Sequence, residues 1–156
     1  MIDKLEKMCI INSVLEEYVM STKKLNSTIF RYYNNNPHSR RTEDCVIRAI
    51  AAGTGDSWEE TLYKLTKHMI KTGYMLSTPD LYGDYLKKIG WKHKKQPKYG
   101  NNKDMKIKDF VKKFNGRAII HVGDDHVSYI ADGKLWDIWN CEDEIIGEYW
   151  TPDSED

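Results

Sequence analysis

Apolar residues recur at helical spacing through the first two thirds of the chain and at alternate positions towards its end. Leu5, Met8, Cys9, Ile11, Val14, Leu15, Tyr18 and Val19 predict an amphipathic helix over residues 3–20. A polar stretch follows, with the breaker cluster Asn34-Asn35-Asn36-Pro37-His38-Ser39, and reads as a loop. The next segment, Thr42 to Gly53, is almost wholly apolar after its first turn. Thr42 suits an N-cap, Glu43 and Asp44 suit the first turn, and Gly53 suits a helix stop. This is expected to be a central buried helix whose N-terminus opens on a cleft. Ser57-Trp58-Glu59-Glu60 resembles a capping box and opens a second helix to about Thr72. Thr78-Pro79-Asp80 opens a third, to about Ile89, stopped by Gly90. A basic loop from Lys92 to Lys103 then leads to a short fourth helix, Lys106 to Phe114.

After Gly116 the period drops to two. Residues 117–122 predict a strand, Gly123-Asp124-Asp125 a tight turn, 126–131 a second strand, and Asp132-Gly133 a hairpin turn. Lys134 to Ile138 is a third strand, and a fourth falls near Glu144 to Tyr149. The plan is α+β, with N-terminal helices packed on a C-terminal antiparallel sheet. It divides into an N-terminal helix (residues 1–22), a main domain (23–152) and an acidic tail (153–156).

The 156 residues hold 24 Lys plus Arg and 24 Asp plus Glu, so no global basic field argues for nucleic acid. The charge is uneven. Lys87 to Lys113 is rich in lysine and Asp124 onwards is acidic, which reads either as solvated faces or as a polyanion-binding patch. The charged start lacks the apolar core of a secretory signal, and no run reaches the ~20 apolar residues of a membrane span. A cytoplasmic protein with no membrane partner is expected. The helix at 3–20 offers a surface for self-association.

Three cysteines (Cys9, Cys45, Cys141), an odd number without close spacing, make neither a disulfide framework nor a zinc site. No metal or cofactor is expected, and the thiols read as free in reducing surroundings. Cys9 falls on the apolar stripe of its helix, and Cys141 reads as structural. Cys45 is different. If Thr42 caps, Cys45 is the third helical residue, beside the unpaired N–H groups of the first turn. Those donors and the helix dipole favour a thiolate, the nucleophilic form of cysteine, and can hold an oxyanion. The alternative is one more buried residue on an apolar helix.

A matching base lies downstream. His126 begins one strand and Asp137 ends the next, across the Asp132-Gly133 turn. Antiparallel pairing places His126 near Trp136 to Ile138. A carboxylate there fixes the imidazole tautomer and steadies its charged form. The alternative is a solvated surface hairpin. His38, His68, His93 and His121 have no comparable setting, and His38 is the one among them that a cleft would include.

Two windows, Asp44-Cys45-Val46-Ile47-Arg48-Ala49-Ile50-Ala51 and His126-Val127-Ser128-Tyr129-Ile130-Ala131-Asp132-Gly133-Lys134-Leu135-Trp136-Asp137-Ile138-Trp139, resemble the papain-like cysteine peptidase superfamily. The likeness is to its short microbial and phage-encoded branch, which resembles bacteriocin-leader-processing peptidases, and it spans residues ~35–150. It implies a papain-like fold and amide hydrolysis through an acyl-enzyme, on a peptide, protein or isopeptide substrate. By position Cys45 is the nucleophile, His126 the general base and Asp137 the orienting group, with Asn140 a second candidate orienter. The Gln that relatives place before the nucleophile to donate to the oxyanion is missing; Ser39 stands at the sixth position before Cys45. Asn34, Asn35 or Asn36 is a possible substitute, as is the Cys45 N–H acting with Ser39. The missing Gln and the exposed-looking Trp136, Trp139, Tyr149 and Trp150 also fit an inactive scaffold, a binding protein or viral particle component. An acyltransferase or transglutaminase-like enzyme is a third reading. A microbial cytoplasm or a viral particle is the implied location.

Overall fold

The computed structural model describes residues 27–152. The expected helix at 3–20 and the acidic tail lie outside the described residues. The four remaining helices form close to where the apolar spacing puts them: α1 (Cys45–Thr54), α2 (Trp58–Thr72), α3 (Pro79–Lys88) and α4 (Ile107–Lys113). Ser57 closes a complete capping box, accepting from the Glu60 N–H while the Glu60 carboxylate accepts from the Ser57 N–H. Thr78 caps α3 through its side chain, with Pro79 in the first turn.

Six strands make one sheet: β1 (Phe30–Tyr32), β2 (Trp91–Lys94), β3 (Arg117–Val122), β4 (His126–Ala131), β5 (Lys134–Asp137) and β6 (Ile146–Pro152), in the order β1-β5-β4-β3-β6-β2. Two of them correct the expectation of a purely C-terminal antiparallel sheet. β1, in the segment read as a loop, pairs parallel to β5. β2, overlapping the start of the supposed basic loop, pairs antiparallel to β6. Both are short and sit at the sheet edges, where a strand needs few apolar residues and tolerates lysine. Phe30 alone fastens β1, with only 1% of its surface exposed, and Trp91 fastens β2.

The sheet separates two cores, because alternate residues point to opposite faces. On one face Ile119, Val127, Tyr129 and Ala131 meet α1, α2 and α3 through Ile47, Ile50, Leu65, Leu81 and Leu86. On the other, Ala118, Ile120, Ile130 and Leu135 meet Ile107, Phe110 and Val111 of α4. The architecture is thus α+β in three layers. Gly53 lets α1 approach the sheet closely: a Cβ there would lie 2.9 Å from the Trp91 ring and 3.1 Å from Ile119. Among the described residues no helix is long and apolar enough to cross a membrane.

The start of α1 differs from the expected one. Asp44, not Thr42, is the N-cap, so Cys45 is the first helical residue rather than the third, and the first turn holds no acid. The helix also runs one residue past Gly53 and ends on left-handed Gly55. Tertiary bonding of the Asp44 carboxylate, described next, explains the shift.

Candidate functional site

The Asp44 side chain makes no capping hydrogen bond to the first turn of its helix. Its carboxylate turns into the protein, accepting from Asn36 Nδ2 at 2.9 Å and Trp58 Nε1 at 2.9 Å and pairing with the Arg48 guanidinium. The N–H groups of Cys45, Val46 and Ile47 therefore have no acceptor among the described residues. They sit at the positive end of a helix anchored by seven buried residues, with the half-buried Cys45 thiol beside them.

The hairpin supplies the partners. β4 pairs with β5 in the register Tyr129↔Trp136, Ile130↔Leu135 and Ala131↔Lys134. That register brings the start of one strand against the end of the other, and His126 Nε2 meets Asp137 Oδ2 at 2.6 Å. Asp137 is buried, and its second oxygen accepts from the Ile138 N–H at 2.7 Å. The same oxygen lies 3.6 Å from the Arg48 guanidinium. One row of alternating charge therefore runs Asp44, Arg48, Asp137, His126, and ties α1 to the hairpin.

Cys45 and His126 line one cleft of about 520 Å³, together with Thr42, Ser77, Ile138 and Trp139. Glu43 and Asp125 add carboxylates to its lining. Burial alone would lower the His126 pKa, but the bond to Asp137 and the nearby thiols of Cys141 and Cys45 outweigh it and push the value up to about 11. The two thiols act by proximity; the aligned hydrogen bond of the ring is the one to Asp137. The imidazole is consequently charged at neutral pH, the form that steadies a thiolate. Burial opposes the charged form of Asp137 too, and the His126 bond outweighs it, holding the carboxyl below its usual range.

Three residues were not assigned to this site from the sequence. Arg48 was part of an apolar helix pattern; its place three residues after Cys45 is the signal that it shares the cleft. Trp139 packs edge-on to the His126 ring with centroids 5.0 Å apart, shielding it while remaining exposed itself. Cys141, read as structural, is buried against His126, and burial raises its pKa above the ordinary thiol value. His126, Asp137 and Cys141 bring ligand atoms within 4.8 Å of one another, donor types that a soft divalent cation accepts. A metal would have to break the 2.6 Å His126–Asp137 bond, so the present geometry is that of a hydrogen-bonded dyad.

The expected oxyanion and orienting candidates are engaged elsewhere. Asn36 is held by Asp44, Asn34 donates to the Arg40 carbonyl, and Asn35 donates to the Arg48 carbonyl. Ser39 is exposed with φ +52°, its N–H donating to the Asn36 carbonyl. The Asn140 side chain accepts from the Glu142 N–H. None of these lines the cleft. His68 bonds Asp84 and His93 bonds Glu148, both on other surfaces.

Compared with known proteins, the chain matches no family model, no curated protein and no solved structure.

Proposed function

We propose that this chain is a cysteine hydrolase with a papain-like arrangement, cleaving an amide bond through an acyl-enzyme on Cys45. The observation that carries the reading is the meeting, in one cleft, of a thiol at an uncapped helix N-terminus with an imidazole held charged by a buried carboxylate. In this mechanism imidazolium His126 stabilises the Cys45 thiolate, which attacks the carbonyl carbon. The oxyanion is received by the free N–H groups at the start of α1, in place of a side-chain amide. His126 then gives its proton to the leaving amine and takes one from the water that releases the acyl group. Asp137 holds the ring's tautomer and angle, and Arg48 holds Asp137. The carboxylates of Glu43 and Asp125 favour substrates that are neutral or basic beside the scissile bond.

The test is intact-protein mass spectrometry after mixing with a panel of activated peptide esters and amides. A mass increase on Cys45 that decays as product accumulates, and that Cys45→Ala abolishes, is the expected result. A second reading, a binding scaffold with a residual thiol, is favoured by the lack of a side-chain amide among the described residues that line the cleft. It predicts peptide binding that Cys45→Ala leaves intact, with no acyl-enzyme.

A further inference from the structure

The end of α1 away from Cys45 borders a second, unrelated pocket of about 610 Å³. Ten residues of helix separate the two ends, roughly 14 Å at the usual rise. Three lysines of α2, Lys64, Lys67 and Lys71, reach it from one helical face, Lys88 reaches it from the last turn of α3, and Arg117 from the start of β3. Against these five cations stands, among the described residues, one lining carboxylate, Asp56. Asp56 is engaged with Lys64 at 2.7 Å, and Arg117 donates to the Gly53 carbonyl at 3.1 Å, covering the negative end of α1. Lys67, Lys71 and Lys88 have no carboxylate in ion-pair reach among the described residues; Lys67 has only the Tyr63 ring, 5.4 Å from its ammonium. The nearby Asp84 bonds the pocket-lining His68 at 2.8 Å and itself lines a neighbouring pocket. Tyr85 and Trp91 give the pocket an apolar wall.

Like charges gathered on a concave surface repel one another, weakly here because the four lysines are exposed to solvent, and a bound anion relieves that repulsion. The chain as a whole carries no net charge, so this concentration is local and not the by-product of a basic protein. A concave site of this size suits a compact ligand better than a duplex, which needs an extended basic face. Three uncompensated ammonium groups within one small pocket match a ligand of dense negative charge. We infer that this pocket binds a small molecule carrying two or more linked phosphate groups. Lys67, Lys71 and Lys88 contact the phosphates, and the wall of Tyr85 and Trp91 is available to whatever the phosphates are attached to. The inference is independent of the hydrolase reading.

Isothermal titration of the full chain with inorganic triphosphate tests it. Saturable binding is expected at ~0.05 M salt, weakening steeply towards ~0.5 M. The double variant Lys71→Glu/Lys88→Glu weakens it roughly tenfold or more, and the milder Lys71→Gln/Lys88→Gln pair weakens it in the same direction. Lys95→Glu, outside the pocket, and Cys45→Ala leave it unchanged. Absence of saturable binding overturns the proposal. So does an equal loss in Lys95→Glu, no loss in the Gln pair, or equally tight binding of a short polyglutamate peptide, which would mark an acidic-peptide site instead.

Discussion

His126 stands between a carboxylate and two thiols, and its protonation state decides what the cleft can do. Asp137 is the partner whose aligned bond raises its pKa. Asp137→Asn should lower the His126 pKa by about 1–3 units, read by NMR titration of the imidazole ring; an unmoved titration would remove Asp137 from this role. Arg48 is the second case. It lies between Asp44 and Asp137, all three buried, so Arg48→Met leaves the Asp44 carboxylate without a cation and Asp137 with His126 alone. Urea denaturation should record a loss of about 3–5 kcal/mol. The pairing of His126 with Asp137 was legible in the sequence because a two-residue Asp-Gly turn fixes register across a hairpin. Trp139 and Cys141 were not, since nothing local distinguishes a side chain that points at a site from one that points at a core, and Arg48 offered only its spacing from Cys45. The same limit applies to Asn36: its amide, a candidate oxyanion donor by position, is claimed by a carboxylate eight residues on.

α1 presents its thiol because the rest of the helix is locked against the sheet. Gly53 sets how close that contact is, and Gly53→Ala should cost about 1–3 kcal/mol by urea denaturation, since both the Trp91 ring and Ile119 must give way. Far-UV circular dichroism should stay unchanged, as the helix itself tolerates alanine. Where an element is stabilised by its own residues, its ends were readable: Ser57 and Glu60 cap α2 at the expected position. Where the ends depend on contacts made by folding, they were not. Thr42 looked the better cap for α1, yet the Asp44 carboxylate, drawn to Arg48, Asn36 and Trp58, fixes the turn two residues later. β1 and β2 escaped notice because three or four residues at a sheet edge carry too little alternation to register as a period.

At the scale of the whole molecule, the row of charge makes stability depend on pH in a stated direction. The folded pKa of His126 is raised from 6.5 to about 11, so its contribution is fully present below pH 6.5 and is lost as pH rises through 11. The folded pKa of Asp137 is lowered from 3.8, so its contribution is present above that value and is lost as pH falls through the folded one. Unfolding free energy measured in urea should thus decline steadily from pH 7 to pH 10, and decline less in His126→Gln; equal slopes would place the pH dependence elsewhere. The layered α+β plan followed from the change of period after Gly116, while the parallel β1–β5 pairing, between segments a hundred residues apart, left no trace in either segment.

The proposed activation of Cys45 by His126 is addressed most directly by alkylation kinetics. With limiting iodoacetamide at pH 6–7 and peptide mapping, Cys45 should be modified well before Cys141, at a rate about tenfold or more above that of free cysteine. His126→Ala should abolish that advantage. A Cys45 that reacts no faster than free cysteine, or just as fast without the imidazole, would contradict the account.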